Sequence, residues 1–314
     1  MKKVAVVILH YGSSKDTLEC LESLSKVEVP WDTKVEVIVV DNGSKQKFEI
    51  RPFGFAQGEN SKFEIDKVKI IRNEENLGFV GGNNIGIRYA LEHGDDFVLI
   101  LNNDTLVDKK LIWELLNAAE GDEKIGIVVP KIYFAPGFEF HKNRYSSKEL
   151  GKVFWYAGGE MDWKNVIGYH RGVDEIDKGQ YGETQETEVA TGCCMLVKKE
   201  VFEKIGLFDE KYFLYYEDSD FSMRTKKAGF KILYTPKSVI WHKNAGSAGG
   251  SGSKLQDYYI TRNRLLFGMR YVPLRSKFAL LRESFLLVFG GRYWQKRAVL
   301  DYYLQRLRRG SYKI

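Results

Sequence analysis

The sequence predicts an α/β protein built on a largely parallel sheet. Three observations predict it: short apolar runs rich in β-branched residues, helical repeats between them, and polar clusters where the runs stop. Residues 4–9 form the first run, continuous enough to be buried on both faces. Residues 14–26 follow at helical spacing through Leu18, Leu21 and Leu24. A second strand at 35–40 ends in Asp41-Asn42-Gly43-Ser44, and a third is expected at 68–72. Residues 84–92 read as a helix and 97–101 as a fourth strand. Residues 108–119 form an amphipathic helix with Leu111, Leu115 and Leu116 on one side. In such sheets ligands bind beyond the carboxyl ends of the strands, where Asp41 and Asn102-Asn103-Asp104 fall.

The pattern changes after Pro130. Residues 131–190 are rich in Tyr, Trp, Gly and charge, and are expected to form a smaller antiparallel or irregular insertion over one end of the sheet. A buried strand is expected at 190–198, a short helix at 200–205 and a longer one at 218–228 stopped by Gly229. Two strands at 232–234 and 239–241 and a flexible Gly/Ser loop at 244–253 precede helices from Leu255 onward. The expected organisation is a main domain over 1–267, with a nucleotide-binding half at 1–130 and an acceptor-side half at 131–253, followed by a helical extension over 268–314.

Composition narrows the class. A chain of 314 residues, 44% hydrophobic and 29% charged with six prolines, fits a globular protein without long disordered tracts. Cys20, Cys193 and Cys194 match neither a disulfide framework nor a zinc spacing, and read as free thiols in a reducing compartment. The apolar start is too short for a signal peptide and has no cleavage site, and no run reaches the ~18 apolar residues of a membrane span. A cytoplasmic protein is expected, with peripheral contact at the inner face of the cell membrane as an option. The net charge of +6 is uneven: from Lys254 on, 14 Lys/Arg stand against 3 Asp/Glu, a net +11, which leaves −5 on the rest. An acidic main domain argues against a nucleic-acid partner.

Several clusters carry chemistry. A carboxylate at the end of a buried strand is costly unless it binds something. Asp41 can accept a hydrogen bond from a nucleobase imide or a ribose hydroxyl, although Asx-Gly is also an ordinary turn. The stretch Asn76-Leu77-Gly78-Phe79-Val80-Gly81-Gly82-Asn83-Asn84-Ile85-Gly86 precedes the expected helix at 84. It allows either close backbone approach to a phosphate or tight packing. Asp104 can anchor Mg2+ or Mn2+ if a diphosphate and another side chain supply further ligands, and His242 at a strand end is a candidate for that side chain. Glu217-Asp218-Ser219-Asp220 opens a helix. Acidic residues suit a helix N-terminus, but crowding raises the proton affinity of at least one, as a general base requires.

Taken in order, these residues resemble glycosyltransferase family 2, whose enzymes have the GT-A fold. The resemblance covers roughly residues 3–267. It rests on His10-Tyr11-Gly12, Val40-Asp41-Asn42-Gly43-Ser44, the Asn76–Gly86 stretch, Leu101-Asn102-Asn103-Asp104, Thr191-Gly192-Cys193-Cys194-Met195, Gly206-Leu207-Phe208-Asp209-Glu210, Tyr216-Glu217-Asp218-Ser219-Asp220, Trp241-His242 and Tyr259-Ile260-Thr261-Arg262-Asn263. Within the family the sequence looks most like the rhamnosyltransferase-like branch that builds bacterial surface polysaccharide. The resemblance implies a metal-dependent, inverting hexosyltransferase. Its donor would be a dTDP- or UDP-sugar, dTDP-rhamnose first, and its acceptor a glycan or lipid-linked glycan. By position, Asp41 would contact the nucleobase or ribose. His10, Tyr11, Asn76, Gly78, Asn83, Asn102 and Asn103 would line the donor site. Asp104 and His242 would hold the metal, with Asn102 standing where the family's metal motif has its first Asp. Asp218 would be the catalytic base, Glu217 and Asp220 would orient or tune it, and Arg262 would face the diphosphate.

The basic extension needs its own explanation. Tyr271, Leu274, Phe278, Leu281, Phe285 and Val288 follow helical spacing with Arg275, Lys277 and Arg282 interleaved. Such a segment either lies on an anionic membrane or packs on the domain or on a second copy in a homodimer. Two other functions fit less of the chain. A sugar-nucleotide pyrophosphorylase should carry a Gly-rich, basic loop after the first strand, where this chain has His10-Tyr11-Gly12-Ser13-Ser14. A non-catalytic sugar-nucleotide-binding relative would have no use for both Asp104 and Asp218.

Overall fold

The computed structural model describes residues 1–50, 68–244 and 252–312. The strands are β1 (Lys2–His10), β2 (Thr33–Asn42), β3 (Lys69–Asn73), β4 (Phe97–Asn102), β5 (Thr105–Val107), β6 (Ile125–Phe134), β7 (Phe154–Tyr156), β8 (Gly159–Asp162), β9 (Ile167–His170), β10 (Gln185–Glu186), β11 (Cys194–Lys198) and β12 (Lys231–His242). The helices are α1 (Ser14–Leu24), α2 (Gly78–Glu92), α3 (Leu111–Glu120), α4 (Lys199–Ile205), α5 (Glu217–Lys227), α6 (Lys254–Tyr271), α7 (Leu274–Gly290) and α8 (Tyr293–Tyr303).

Among the described residues one sheet runs in the order β10-β12-β6-β11-β4-β1-β2-β3, with β5 on β12 and β7 on β6, while β8 and β9 form a separate hairpin. Strands β3, β2, β1 and β4 are parallel, and β6 and β12 are parallel to each other. Strand β11 runs antiparallel between β4 and β6. The side chains of Val4–Ile8, Val37–Val40 and Val98–Leu101 are buried, as the apolar runs require. The chain winds from β1 to β2 on one side and returns to β4 on the other. The carboxyl ends of β1 and β4 therefore flank the crevice where such sheets bind ligands.

Three elements differ from expectation. Helix α2 begins at Gly78, not 84, because its glycines serve packing. A Cβ on Gly82 would stand 2.2 Å from Leu9 Cδ1, and one on Gly86 would stand 2.4 Å from Val7 Cγ1, so both let α2 lie directly on β1. Gly82→Ala is expected to destabilise the fold by ~1–3 kcal/mol through overpacking, read as a lower denaturation midpoint at unchanged m-value. The two strands expected at 232–234 and 239–241 are one strand, β12, with a register shift between Thr235 and Val239 around Pro236, which has no N–H for the ladder. The strand expected from 190 starts at Cys194, and the residues before it turn beneath α5. Most of the loop expected at 244–253 lies outside the described residues.

The C-terminal helices belong to the body of the fold. The boundary expected at 267/268 falls inside α6. Leu280 of α7 and Val299 of α8 join the main core, and Arg270 and Tyr271 reach Asp220 of α5.

Candidate active site

Backbone register sets the strand ends side by side: Asn102 opposite Leu9, His10 opposite Asp41, and Asp41 opposite Arg72. Asp41 is buried and accepts from the N–H groups of Ser44 (3.2 Å) and Phe48 (2.9 Å). Burial pushes its pKa up, but these bonds and nearby His10 outweigh that, so it stays below the usual range and ionised. The His10 ring leans on Phe48, with centroids 4.6 Å apart. His10 Nδ1 bonds Thr17 Oγ1 at 2.7 Å, and Asn103 Nδ2 donates to the same oxygen at 2.9 Å. Burial pulls the His10 pKa down against the attraction of Asp41, and its buried Nε2 has no partner among the described residues. Tyr11 is exposed at the rim.

The Asn-Gly stretch is tied down by an amide network. Asn42 Nδ2 donates to Asn76 Oδ1 and to the Gly78 carbonyl, both at 3.0 Å. Asn42 Oδ1 accepts from Asn73 Nδ2 at 3.0 Å and from Leu77 N–H at 3.1 Å. Gly78 has φ +75°, and a Cβ there would stand 2.5 Å from the Phe213 carbonyl oxygen, so the contact brings α2 against the turn before α5. Asn83, expected to face the donor, is buried and donates to Phe79 O within its own helix at 2.9 Å.

The antiparallel pairing of β5 with β12 sets His242 opposite Thr105 and so brings Asp104 to the histidine. Asp104 Oδ1 lies 3.1 Å from His242 Nε2, and Lys243 N–H donates to the Asp104 carbonyl at 2.9 Å. Thr105 Oγ1 closes the intervening turn by donating to Asn102 O at 2.7 Å. His242 Nδ1 is buried without a partner among the described residues. A carboxylate and an imidazole meeting at a strand end fit a divalent cation that draws its remaining ligands from a diphosphate. No cluster of three or more protein ligands exists among the described residues, so the protein would supply two.

Helix α5 opens with the acidic run. Phe213, Tyr215 and Tyr216 ahead of it all have left-handed backbone, with φ of 62°, 68° and 70°. Non-glycine residues there are strained and need support from outside. Asn263 of α6 supplies it, donating from Nδ2 to the carbonyls of Leu214 and Tyr215, both at 2.8 Å. Asp218 then lines a cavity of about 200 Å3 whose walls include Tyr156, Tyr169, His170, Tyr215, Tyr216 and Ile260. Its Oδ2 accepts from Gly192 N–H at 3.3 Å and its Oδ1 from Ser219 N–H at 2.7 Å. Burial nevertheless raises its pKa above the ordinary carboxylate value. Glu217 is buried, its Oε2 is partnerless among the described residues, and burial reinforced by Asp218 raises its pKa well above normal.

His170 is one of the cavity residues that sequence reasoning missed, as are Tyr156, Tyr169 and Tyr215. Its Nδ1 lies 3.0 Å from the Trp155 carbonyl, which can only accept, so Nδ1 carries the proton and Nε2 offers a lone pair. Burial lowers its pKa to about 4, so the ring is neutral at pH 7. Trp155 sits edge-on between two imidazoles, 4.3 Å from His170 and 4.5 Å from His242. The cavity at Asp218 and the Asp104–His242 pair are therefore neighbours through one indole.

Besides Asn83, two expected residues lie elsewhere. Asp220 is fully buried and accepts from Arg224 Nε (2.7 Å), an Arg270 guanidinium N–H (2.6 Å) and Tyr271 OH (2.7 Å). It lashes α5 to α6 and is not among the cavity residues. Asp220→Ala would leave Arg224 and Arg270 without their shared carboxylate. A loss of ~3–5 kcal/mol is expected, read by denaturant titration. Arg262 was expected at the diphosphate. It is instead fully buried against the rings of Tyr258 and Tyr259, 5.3 and 5.0 Å from their centroids, beneath the segment carrying Gly310. The chain segment after α8 closes over it, which length and composition could not reveal.

The mostly parallel sheet thus carries the Asp104–His242 pair and the buried Asp218 carboxylate at one end. The chain belongs to glycosyl transferase family 2, whose profile matches residues 5–206. It is 27% identical over 268 residues to the low-salt glycan biosynthesis hexosyltransferase Agl10 of Haloferax volcanii, covering 84% of this chain and 74% of that one. It is 26% identical over 254 residues to the N-acetylglucosaminyl-diphospho-decaprenol L-rhamnosyltransferase of Mycobacterium tuberculosis, covering 78% and 77%. The fold superimposes on GalNAc-T7, solved with UDP, GalNAc and Mn2+, with a TM-score of 0.55 at 16% identity, over 96% of this chain and 57% of that one.

Proposed function

We propose that the protein is an inverting hexosyltransferase assisted by a divalent cation. It moves a sugar from a dTDP- or UDP-linked donor, dTDP-rhamnose first, to a hydroxyl of a glycan or lipid-linked glycan in surface polysaccharide synthesis. One observation carries the reading: a carboxylate whose proton affinity is raised, Asp218, lines a sugar-sized aromatic cavity one indole away from the Asp104–His242 pair. The names of the rhamnosyl and hexosyl relatives support the donor class, and the mycobacterial relative's name supports a lipid-linked acceptor. A cytoplasmic place of work suits three buried free thiols.

In this reading the donor base lies over the ends of β1 and β2, where Asp41 accepts from an imide or ribose donor and Tyr11 stands at the rim. Asn102, Asn103 and the Asn76–Gly78 turn border it. The acceptor sugar occupies the cavity, where Tyr156, Tyr169 and Tyr215 present aromatic surface to its C–H face and neutral His170 accepts from a hydroxyl through Nε2. Asp218 takes the proton of the attacking hydroxyl. The new bond forms between that oxygen and the anomeric carbon as the carbon–phosphate oxygen bond breaks. The electron pair leaves with the nucleoside diphosphate, and the anomeric centre inverts. A divalent cation, Mg2+ or Mn2+, held by Asp104 and His242 would offset the charge developing on the diphosphate. In this reading Glu217, next to the base at the start of α5, and Asp220, which ties α5 to α6, orient Asp218.

A thermal-shift and donor-hydrolysis panel of UDP, dTDP, dTDP-rhamnose and UDP-sugars, with and without Mn2+, tests the reading. A rise in Tm with dTDP or UDP that grows with Mn2+ is expected. The absence of a shift with every nucleotide would remove it.

A further inference from the structure

Helix α7 has two apolar faces, and the fold uses one. Leu280 packs inward on α6, where a Cβ at Gly268 would stand 2.2 Å from Leu280 Cδ1, and Ser284 Oγ bonds Tyr303 OH of α8 at 2.7 Å. Only Leu280 and Ser284 of its 17 residues are buried. On the opposite side Leu274, Phe278, Phe285, Leu286 and Phe289 each expose 60–72% of their surface. Positions 274, 278, 281, 285 and 289 follow the i, i+4, i+7 progression of a single helical stripe. The rings of Phe285 and Phe289 meet edge to face at 5.0 Å.

The charges beside this stripe all have one sign. Arg275 and Arg282 are exposed along one edge and Lys277 lies on the other. The helix's lone acid, Glu283, turns inward to Arg264 of α6 at 2.7 Å. An exposed aromatic stripe of this size marks an interaction site. Three basic side chains around it select an acidic partner, and a second copy of the same face would oppose like charges across a two-fold axis.

We infer that the outward face of α7 docks in the interfacial region of an anionic lipid bilayer, with Phe278, Phe285 and Phe289 inserted and Arg275, Lys277 and Arg282 at the headgroups. The helix lies on the surface and does not cross it: among the described residues no helix is long and apolar enough to span a membrane. The consequence for the reaction rests on the function proposed above. Arg264, paired with α7, also donates from Nε to the Asn165 carbonyl at 2.7 Å, and Gly268 contacts both Leu280 and Val166. These contacts place α7 beside the β8–β9 hairpin, whose exposed Ile167 and Tyr169 line the Asp218 cavity. A docked α7 therefore brings the acceptor side next to the membrane, where a lipid-linked sugar is presented.

The test is sedimentation of the full chain with vesicles of equal parts phosphatidylglycerol and phosphatidylcholine, against phosphatidylcholine alone. Binding to the anionic vesicles is expected, at least ~10-fold weaker on neutral ones and weakened further by added salt. The triple variant Phe278→Ser, Phe285→Ser, Phe289→Ser should lose at least ~10-fold of vesicle affinity. It should keep Tm and donor hydrolysis, so membrane docking and catalysis are read separately. Equal or absent binding to both vesicle types overturns the inference, as does a triple variant that binds like the parent. A dimer on gel filtration that the triple variant dissolves, without vesicle binding, would assign the face to a second copy.

Discussion

Asp218→Asn is expected to lower kcat by at least ~10²-fold while leaving donor binding intact, because the amide keeps the shape but cannot take a proton. The Gly192 and Ser219 N–H groups that hold the carboxylate have no preference for a negative acceptor strong enough to overcome burial, so Asp218 keeps a raised pKa. The sign of the pH dependence follows. The base works only when deprotonated, so kcat should fall as pH drops through that raised value, with an acid limb above the ordinary range for an aspartate. The Asn variant's residual rate should lose this limb. Steady-state kinetics across pH, together with nucleotide-induced Tm shifts, separate the outcomes. Near-normal turnover with the limb retained would transfer the proton to Glu217.

Asp104→Ala should abolish the dependence of donor binding on the divalent cation. Outer-shell substitutions around metal ligands cost ~10–100-fold in affinity, and a direct ligand in a pair of two should cost no less. The donor KM is expected to rise at least ~10-fold, with Tm without ligand little changed. Asn102→Asp is the complementary variant. It adds a carboxylate at the same strand end and should tighten Mn2+ binding, measured by titration calorimetry in the presence of nucleoside diphosphate. An Asp104→Ala enzyme whose metal response matched the parent would remove Asp104 from the cation site.

The parts of this arrangement legible in the sequence are those that a strand dictates by itself. Apolar runs placed β1, β2 and β4, and their abrupt polar ends placed Asp41 and Asn102–Asp104 at the crevice, because parallel strands share one carboxyl edge. Side chains whose purpose depends on a distant partner were harder to read. Gly78, Gly82 and Gly86 approach the Phe213 backbone, Leu9 and Val7, the packing that was one of two readings of this stretch, but a local reading started the helix at 84 and missed that residues 78–83 lie within α2. His170 lies in an irregular insertion and has no spacing signature, and Asn263, although part of the quoted 259–263 motif, had no role that the motif alone could assign. Their value lies in what they touch, Trp155 and the left-handed turn before α5. Arg262 was expected in the site from the family resemblance and Asp220 from the acidic run it shares with Asp218. Both are fully buried, Asp220 under Arg270 and Tyr271 of α6 and Arg262 against Tyr258, Tyr259 and the segment at Gly310.

Glu217 ties the fold's endurance to its acidity. Its folded-state pKa is raised by burial, so between the ordinary glutamate value and the raised one the native protein holds a proton that the unfolded chain releases. Stability is therefore full below the ordinary glutamate value and declines as pH rises through that window, the reverse of a salt-bridged carboxylate. Glu217→Gln should flatten this decline and raise Tm near neutrality while slowing the enzyme, measurable as paired melting and activity curves from pH 5 to 9. A thermostability screen blind to activity would select that substitution, and the resistance it gained would come from dismantling the site.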